Sequence, residues 1–235
     1  MFELSMLEFI FFIGLFLMER LKPARHFPVM RQWFYHWTGI IIFATFWLGG
    51  LLLIWPIVPE LWDGLSTLSL WKQVMLTYLL YSFIAYWYHR LRHSMPLLWR
   101  YLHYMHHSPA HMDTRVTFWR HPLEIVIDSL VVLLVGKLIG ASAEVIIGVL
   151  IVESMLEIFH HSNLHSPKCL RWLGYFIQLP EQHLIHHQYA LHRWNYGTIT
   201  FWDTLFGTVR VPQQWQGKVG LPEWKNTRQL LFFRY

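Results

Sequence analysis

Cysteine is almost missing from this chain: Cys169 stands alone in 235 residues. A single thiol cannot close a disulfide within the chain, and it removes thiolate-rich zinc and iron–sulfur centres from consideration. Charge is scarce as well. Asp, Glu, Lys and Arg make up 14% of the residues, against about 25% in a soluble domain, while 54% are hydrophobic and the mean hydropathy is +0.30. That deficit points to lipid and excludes a disordered or collagen-like chain. No repeat, low-complexity tract or linker divides the sequence, so residues 1–235 read as a single domain. Nor does it carry a G-x-G-x-x-G turn for a dinucleotide, or a fused haem-binding module.

Long apolar runs are present instead. They fall at residues 5–18, 36–58 and 71–88, with a longer stretch at 123–159 that Gly140-Ala141-Ser142 divides. A helix needs about 20 residues to cross a hydrocarbon core of about 30 Å. The second run reaches that, the third comes close, and the fourth suits a hairpin that enters and returns. Glu3 and Glu8 stand where a leader would have its basic flank, so the first run reads as a retained anchor. The expectation is an all-α, integral-membrane helical bundle of about four to five membrane segments.

The formal charge of +5 does not make a nucleic-acid surface, because Lys and Arg do not form one stripe. They cluster around residues 20–31, 90–120 and 168–234, between the apolar runs, as cytoplasmic loops do. The same bias places the short, mostly acidic 60–72 segment outside. Trp55 with Trp62, and Tyr86-Trp87-Tyr88, flank the runs where an aromatic belt would lie.

Sixteen histidines remain to be explained. Ten of them fall in four clusters: His89 with His93, His103 with His106 and His107, His161 with His165, and His183 with His186 and His187. Residues three and four apart share a helix face, so each cluster presents at least two imidazoles together. All four clusters follow an apolar run, and the crossing parity puts them on one side of the membrane, in a His-rich cytosolic helical cap made of 89–121 and 160–210. Ten imidazoles exceed what one transition ion can use, and two ions would share them. A nitrogen-dominated set suits iron, zinc, copper or nickel and argues against calcium or magnesium.

In order and spacing these four clusters resemble the histidine boxes of the fatty acid hydroxylase and sterol desaturase superfamily of integral-membrane non-haem di-iron enzymes. His106-His107-Ser108, Arg120-His121-Pro122-Leu123-Glu124, Asn195-Tyr196-Gly197 and the Trp202-Asp203 to Thr208 run add to the likeness, which covers about residues 75 to 210. The resemblance implies a membrane anchor under a cytosolic cap that holds two irons, with the ten box histidines as ligands and O2 as co-substrate. It implies oxidation of an unactivated C–H bond of a membrane lipid, by hydroxylation or desaturation. Reducing equivalents would come from an external reductase or electron carrier. The short first anchor and lean length favour a bacterial inner membrane.

His121, His160 and His192 stand beside the boxes as candidates to support the ligands, and Glu124, Glu157, Asn195 and Asp203 as groups to hold the far ring nitrogens. Two other readings of the same clusters stay open: a zinc-dependent membrane hydrolase, in which the boxes would activate water, and a metal transporter or store, for which Glu144 and Glu153 are the acids near mid-membrane depth.

Overall fold

The computed structural model describes residues 2–28, 33–59, 61–62, 64–213, 215–222 and 225–234. Among them every regular element is helical, and the single β-bridge, between Gln188 and Val219, is isolated. In chain order the helices are α1 (Phe2–Leu21), α2 (Trp33–Ile54), α3 (Leu70–Ser94), α4 (Pro96–Leu98) and α5 (Tyr104–His107). There follow α6 (Pro122–Leu138), α7 (Ala143–His161), α8 (Pro180–His186), α9 (Phe201–Leu205) and α10 (Thr227–Leu231).

The five long helices take up the apolar runs, but they are not equally suited to lipid. Among the described residues, Trp37–Ile57 alone is long and apolar enough to cross a membrane, where the sequence leads one to expect four to five membrane segments. The reasons lie in single residues. Helix α1 carries Glu3, Glu8, Glu19 and Arg20, and α7 carries Glu144, Glu153 and Glu157. Lys72, Gln73 and four tyrosines dilute α3, while α6 has 17 residues, about 26 Å at 1.5 Å per residue. These helices still expose large apolar side chains, among them Phe9, Phe46, Leu53, Met75 and Leu134. Such a band is unusual against water and marks a lipid or partner surface.

Local chemistry sets the helix boundaries. Ser142 caps α7 by accepting from the Val145 N–H at 3.3 Å, and Gly140 takes the positive φ of 68° that the tight turn from α6 requires. Gly136 on α6 lies so close to Trp55 and Ile146 that a Cβ there would come within 2.6 Å of either. Helix α7 packs across α3 and α1, and α6 against α2 and α3. A lower core gathers Trp55, Val74, Tyr78, Val132 and Val149. An upper core gathers Met105, Met112, Val116, Trp119, Leu184 and Leu230 under the C-terminal segment. The histidines lie between the two. Tyr86, expected at the headgroup level, is instead fully buried, with its hydroxyl 3.0 Å from that of Thr208 and its ring stacked on Phe206.

Candidate metal centre

Four separate helix ends deliver the box histidines. His89 and His93 lie one turn apart near the end of α3. His103 ends a π turn, Trp99–His103, whose extra residue resets the helical phase before α5 presents His106 and His107; such turns recur at functional sites. His161 ends α7, His183 and His186 lie on α8, and His187 caps it.

Nine of the ten converge in two adjoining groups. His89, His93, His103, His107 and His186 form one, and His106, His161, His183 and His187 the other, with the candidate donor atoms of each group within 4.8 Å of one another. In the first, Nε2 of His103 is 2.8 Å from that of His89 and 3.1 Å from that of His107, and Nε2 of His93 is 3.2 Å from that of His89. In the second, Nε2 of His161 is 3.3 Å from that of His106 and 2.9 Å from that of His183. The groups touch where the rings of His107 and His187 stack at 4.0 Å.

What sits on the outer nitrogens decides what the inner ones are. Nδ1 of His89 donates to the Tyr196 carbonyl, of His103 to Glu124 Oε1, and of His106 to the Trp119 carbonyl. Nδ1 of His161 donates to the Glu157 carbonyl, of His183 to Gln178 Oε1, and of His186 to the Trp194 carbonyl. Each of these partners only accepts, so Nδ1 carries the proton and Nε2 a lone pair. Burial holds all nine imidazoles well below their ordinary pKa, His186 at about 3. They are therefore neutral at pH 7. Lone pairs facing one another at about 3 Å repel unless a cation lies among them, and about 3 Å is the edge of an octahedron with metal–nitrogen bonds of about 2.1 Å. Nε2 of His186 and both nitrogens of His187 are buried without a protein partner, which leaves each of these rings a donor for an ion. The set fits two first-row transition ions.

The remaining sequence candidates divide. His165 does not join either group; it is 65% exposed, with Nδ1 3.5 Å from Glu181, because α7 ends at His161 and the chain turns outward after it. His121 is no ligand support either: its Nδ1 accepts from the Leu123 N–H at 3.0 Å to cap α6, and its Nε2 donates to the Leu231 carbonyl. His160 packs 4.1 Å from the His183 ring, and His192 places Nδ1 3.1 Å from that of His107. Burial lowers the pKa of His192 to about 4.

Of the acids, Glu124 accepts directly from His103 and also takes the Arg92 guanidinium at 2.7 Å. Glu157 serves His161 through its backbone, its carboxylate going to Arg120. Asp203 and Asn195 touch no histidine. Asp203 accepts from the N–H groups of Tyr196 and Gly197, and Asn195 donates to the Gln182 carbonyl and accepts from the Arg210 N–H. Both instead shape the loop whose carbonyls, at Trp194 and Tyr196, hold His186 and His89. His192, Trp194 and Asn195 adopt positive φ there, at 43°, 68° and 50°, strain of the kind stored at sites that must be held in one shape. Gln178 and Arg92 escape the sequence reading. Arg92 lies three residues after His89, a visible signal; nothing marks Gln178 except its nearness to His183.

The fold and this double histidine cradle define a helical protein with two adjoining histidine groups that could each hold a metal ion. The fatty acid hydroxylase family model matches residues 74–208, more than half of the sequence, and the chain belongs to that family. It is 28% identical over 141 residues to a Delta(7)-sterol-C5(6)-desaturase of Nicotiana tabacum, covering 58% of this chain and 49% of the relative. It is 26% identical over 144 residues to a putative Delta(7)-sterol-C5(6)-desaturase 2 of Arabidopsis thaliana, covering 59% and 48%. The chain thus spans about half the length of these curated relatives. No solved structure matches it.

Proposed function

We propose that this protein is an O2-dependent di-iron enzyme that hydroxylates or desaturates an unactivated C–H bond of a fatty acyl, sterol or related membrane lipid. The observation that carries this reading is the convergence of nine neutral imidazoles in two touching groups with their lone pairs turned inward. His89, His93, His103, His107 and His186 would hold one iron, and His106, His161, His183 and His187 the other. Iron, when bound, supplies the change of oxidation state that O2 cleavage demands and zinc lacks. The balance is one O2, two electrons and two protons per lipid, giving an alcohol and one water, or an alkene and two waters. An external reductase or electron carrier would provide the electrons.

The protein's own residues supply the rest. The Nδ1 partners of His89, His103, His106, His161, His183 and His186 fix the tautomer and orientation of those six rings, and the Glu124 carboxylate makes His103 a more basic donor. Burial between two apolar cores keeps bulk water from the site. The sterol named in the plant relatives makes a sterol one candidate here. We place α1, α3 and the α6–α7 hairpin in the membrane with α2, as a multi-pass protein of a bacterial inner membrane with the boxes cytosolic. The apolar side chains exposed on α1, α2, α3 and α6 support that placement. A zinc hydrolase would use a carboxylate to take a proton from water; Arg92 and Arg120 engage Glu124 and Glu157, which leaves Glu153 as its candidate base.

Metal analysis of anaerobically purified protein, joined to lipid profiling of cells with and without the gene, tests the reading. Two irons per chain and a +16 or −2 mass change in one lipid class are expected. Zinc alone, with turnover that survives without O2 and reductant, would replace it with the hydrolase.

A further inference from the structure

Two cavities meet end to end beneath the histidines. The inner chamber, about 50 Å³, is lined by His89, His103, His106, His161 and His183. It has room for only a few water-sized groups. The outer crevice, about 460 Å³, runs along α2 from Ile40 to Leu52 with Leu150 and Ile151 of α7 opposite. That is about 18 Å of helix and a volume in the range of small-ligand sites. Tyr81, Arg120, Asp128, Glu153 and Glu157 line both cavities and so form the neck between them.

The neck's chemistry is one-sided. Arg120, its one guanidinium, donates to Asp128 at 3.1 Å, to the Thr117 carbonyl at 3.2 Å and to Glu157. Glu153 accepts from the hydroxyls of Tyr78 and Thr198 at 2.7 and 3.0 Å. The Tyr81 hydroxyl bonds no protein atom among the described residues. A carboxylate entering here finds its only cation already engaged and three acids around it. A hydroxyl finds carboxyl oxygens to donate to and a phenol to accept from. A bare hydrocarbon end would strip these groups of water and return nothing.

Resting on the oxygenase reading above, we infer that the substrate is a neutral lipid with a hydroxyl at one end, which enters the crevice hydroxyl-first and is oxidised within a few carbons of that group. The chain lies along α2 with its tail toward Leu52, and the inner chamber is too small to admit a looped mid-chain segment. Tyr81 is then a positioning residue: it orients the substrate and takes no part in the bond changes.

Full-length protein, stripped of native lipid in detergent and loaded with zinc so that no turnover intrudes, is equilibrated with hexadecan-1-ol, hexadecanoate or hexadecane, and retained ligand is measured by mass spectrometry. The alcohol should bind about tenfold more tightly than either of the others, and Tyr81→Phe should cut that preference several-fold while leaving hexadecane unchanged. Leu150→Trp, or Ala44→Leu if that variant fails to fold, should weaken all three by filling the crevice. Equal binding of alcohol and alkane, or tighter binding of the carboxylate, overturns the inference. In the iron-loaded enzyme with reductant, a product oxidised near the hydroxyl supports it and one oxidised mid-chain or at the methyl end overturns it. If no lipid is oxidised at all, the oxygenase reading fails, and the binding order still decides how the crevice is filled.

Discussion

The two histidine groups face each other across the stacked rings of His107 and His187, yet they are held by different chemistry. In the first, His103 leans on a carboxylate, Glu124, which is itself locked by Arg92 and backed by Asp128. In the second, the outer nitrogens rest only on neutral acceptors: the carbonyls of Trp119 and Glu157 and the amide of Gln178. A carboxylate partner pushes electron density onto its imidazole, and a neutral carbonyl does so less. With five donors and a carboxylate brace, the first group would bind an ion more firmly than the second, with four donors and none.

Removing a ligand should break this comparison most visibly. His103 places its Nε2 at 2.8 and 3.1 Å from two other donors of its group. His103→Ala should take metal content from two ions per chain to one and lower turnover about a thousandfold or more, a barrier change of ~4 kcal/mol. Metal analysis beside lipid product formation reads both. Retention of two ions would mean that the first group does not bind as a unit.

Changing the braces sharpens the contrast. Glu124→Gln keeps an acceptor on His103 and removes its charge, so metal affinity in the first group should fall about 10- to 100-fold with the second unchanged. Gln178→Leu should do the reverse, freeing the His183 ring. Competition with a graded series of chelators resolves the two ions, and a variant that lowers both equally would show that the groups are one coupled site.

How much of this could be read from the residues alone depends on where the signal lies. Spacings of three and four are a property of helices, so the histidine clusters and the helices that carry them are legible. His165 misleads because H-x3-H implies a shared face only while the helix continues, and Ser162 ends α7 with extended backbone. The braces are mostly backbone carbonyls, at Trp119, Glu157, Trp194 and Tyr196, and a carbonyl has no letter in a sequence. The run of positive φ at His192, Trp194 and Asn195 is equally hidden, since no glycine marks it. Membrane depth falls between: the exposed apolar faces are foreseeable, but the glutamates of α1 and α7, the polar residues of α3 and the shortness of α6 leave α2 alone, among the described residues, with the length and hydropathy of a span.

A smaller effect tests the border between the cap and the rest. The His121 ring caps α6 through an unprotonated Nδ1 and ties down the C-terminal segment through Nε2. Burial lowers its pKa, so the folded state keeps it neutral while the unfolded chain takes up a proton below about pH 6.5. Its stabilisation is therefore complete above that pH and lost as the pH falls below it. His121→Ala should cost about 1 kcal/mol at pH 8 and less at pH 5, with metal content unchanged. Denaturant midpoints at the two pH values measure it, and a loss of metal would return His121 to the groups that support the ligands.

The smallest effect belongs to the histidine that the spacing favours and the fold leaves out. His165 is 65% exposed and its nearest charged neighbour is Glu181 at 3.5 Å, a carboxylate already occupied by the N–H and hydroxyl of Ser166. An exposed pair of this kind contributes at most about 1 kcal/mol. His165→Ala should leave two ions per chain and turnover within about twofold of the parent, because no donor of the second group depends on it. Titrating iron into His165→Ala and His161→Ala side by side makes the comparison direct: both belong to the same H-x3-H, and only the second should lose an ion. If both lose one, the chain after α7 folds back onto the centre when metal binds, and the second group has five donors like the first.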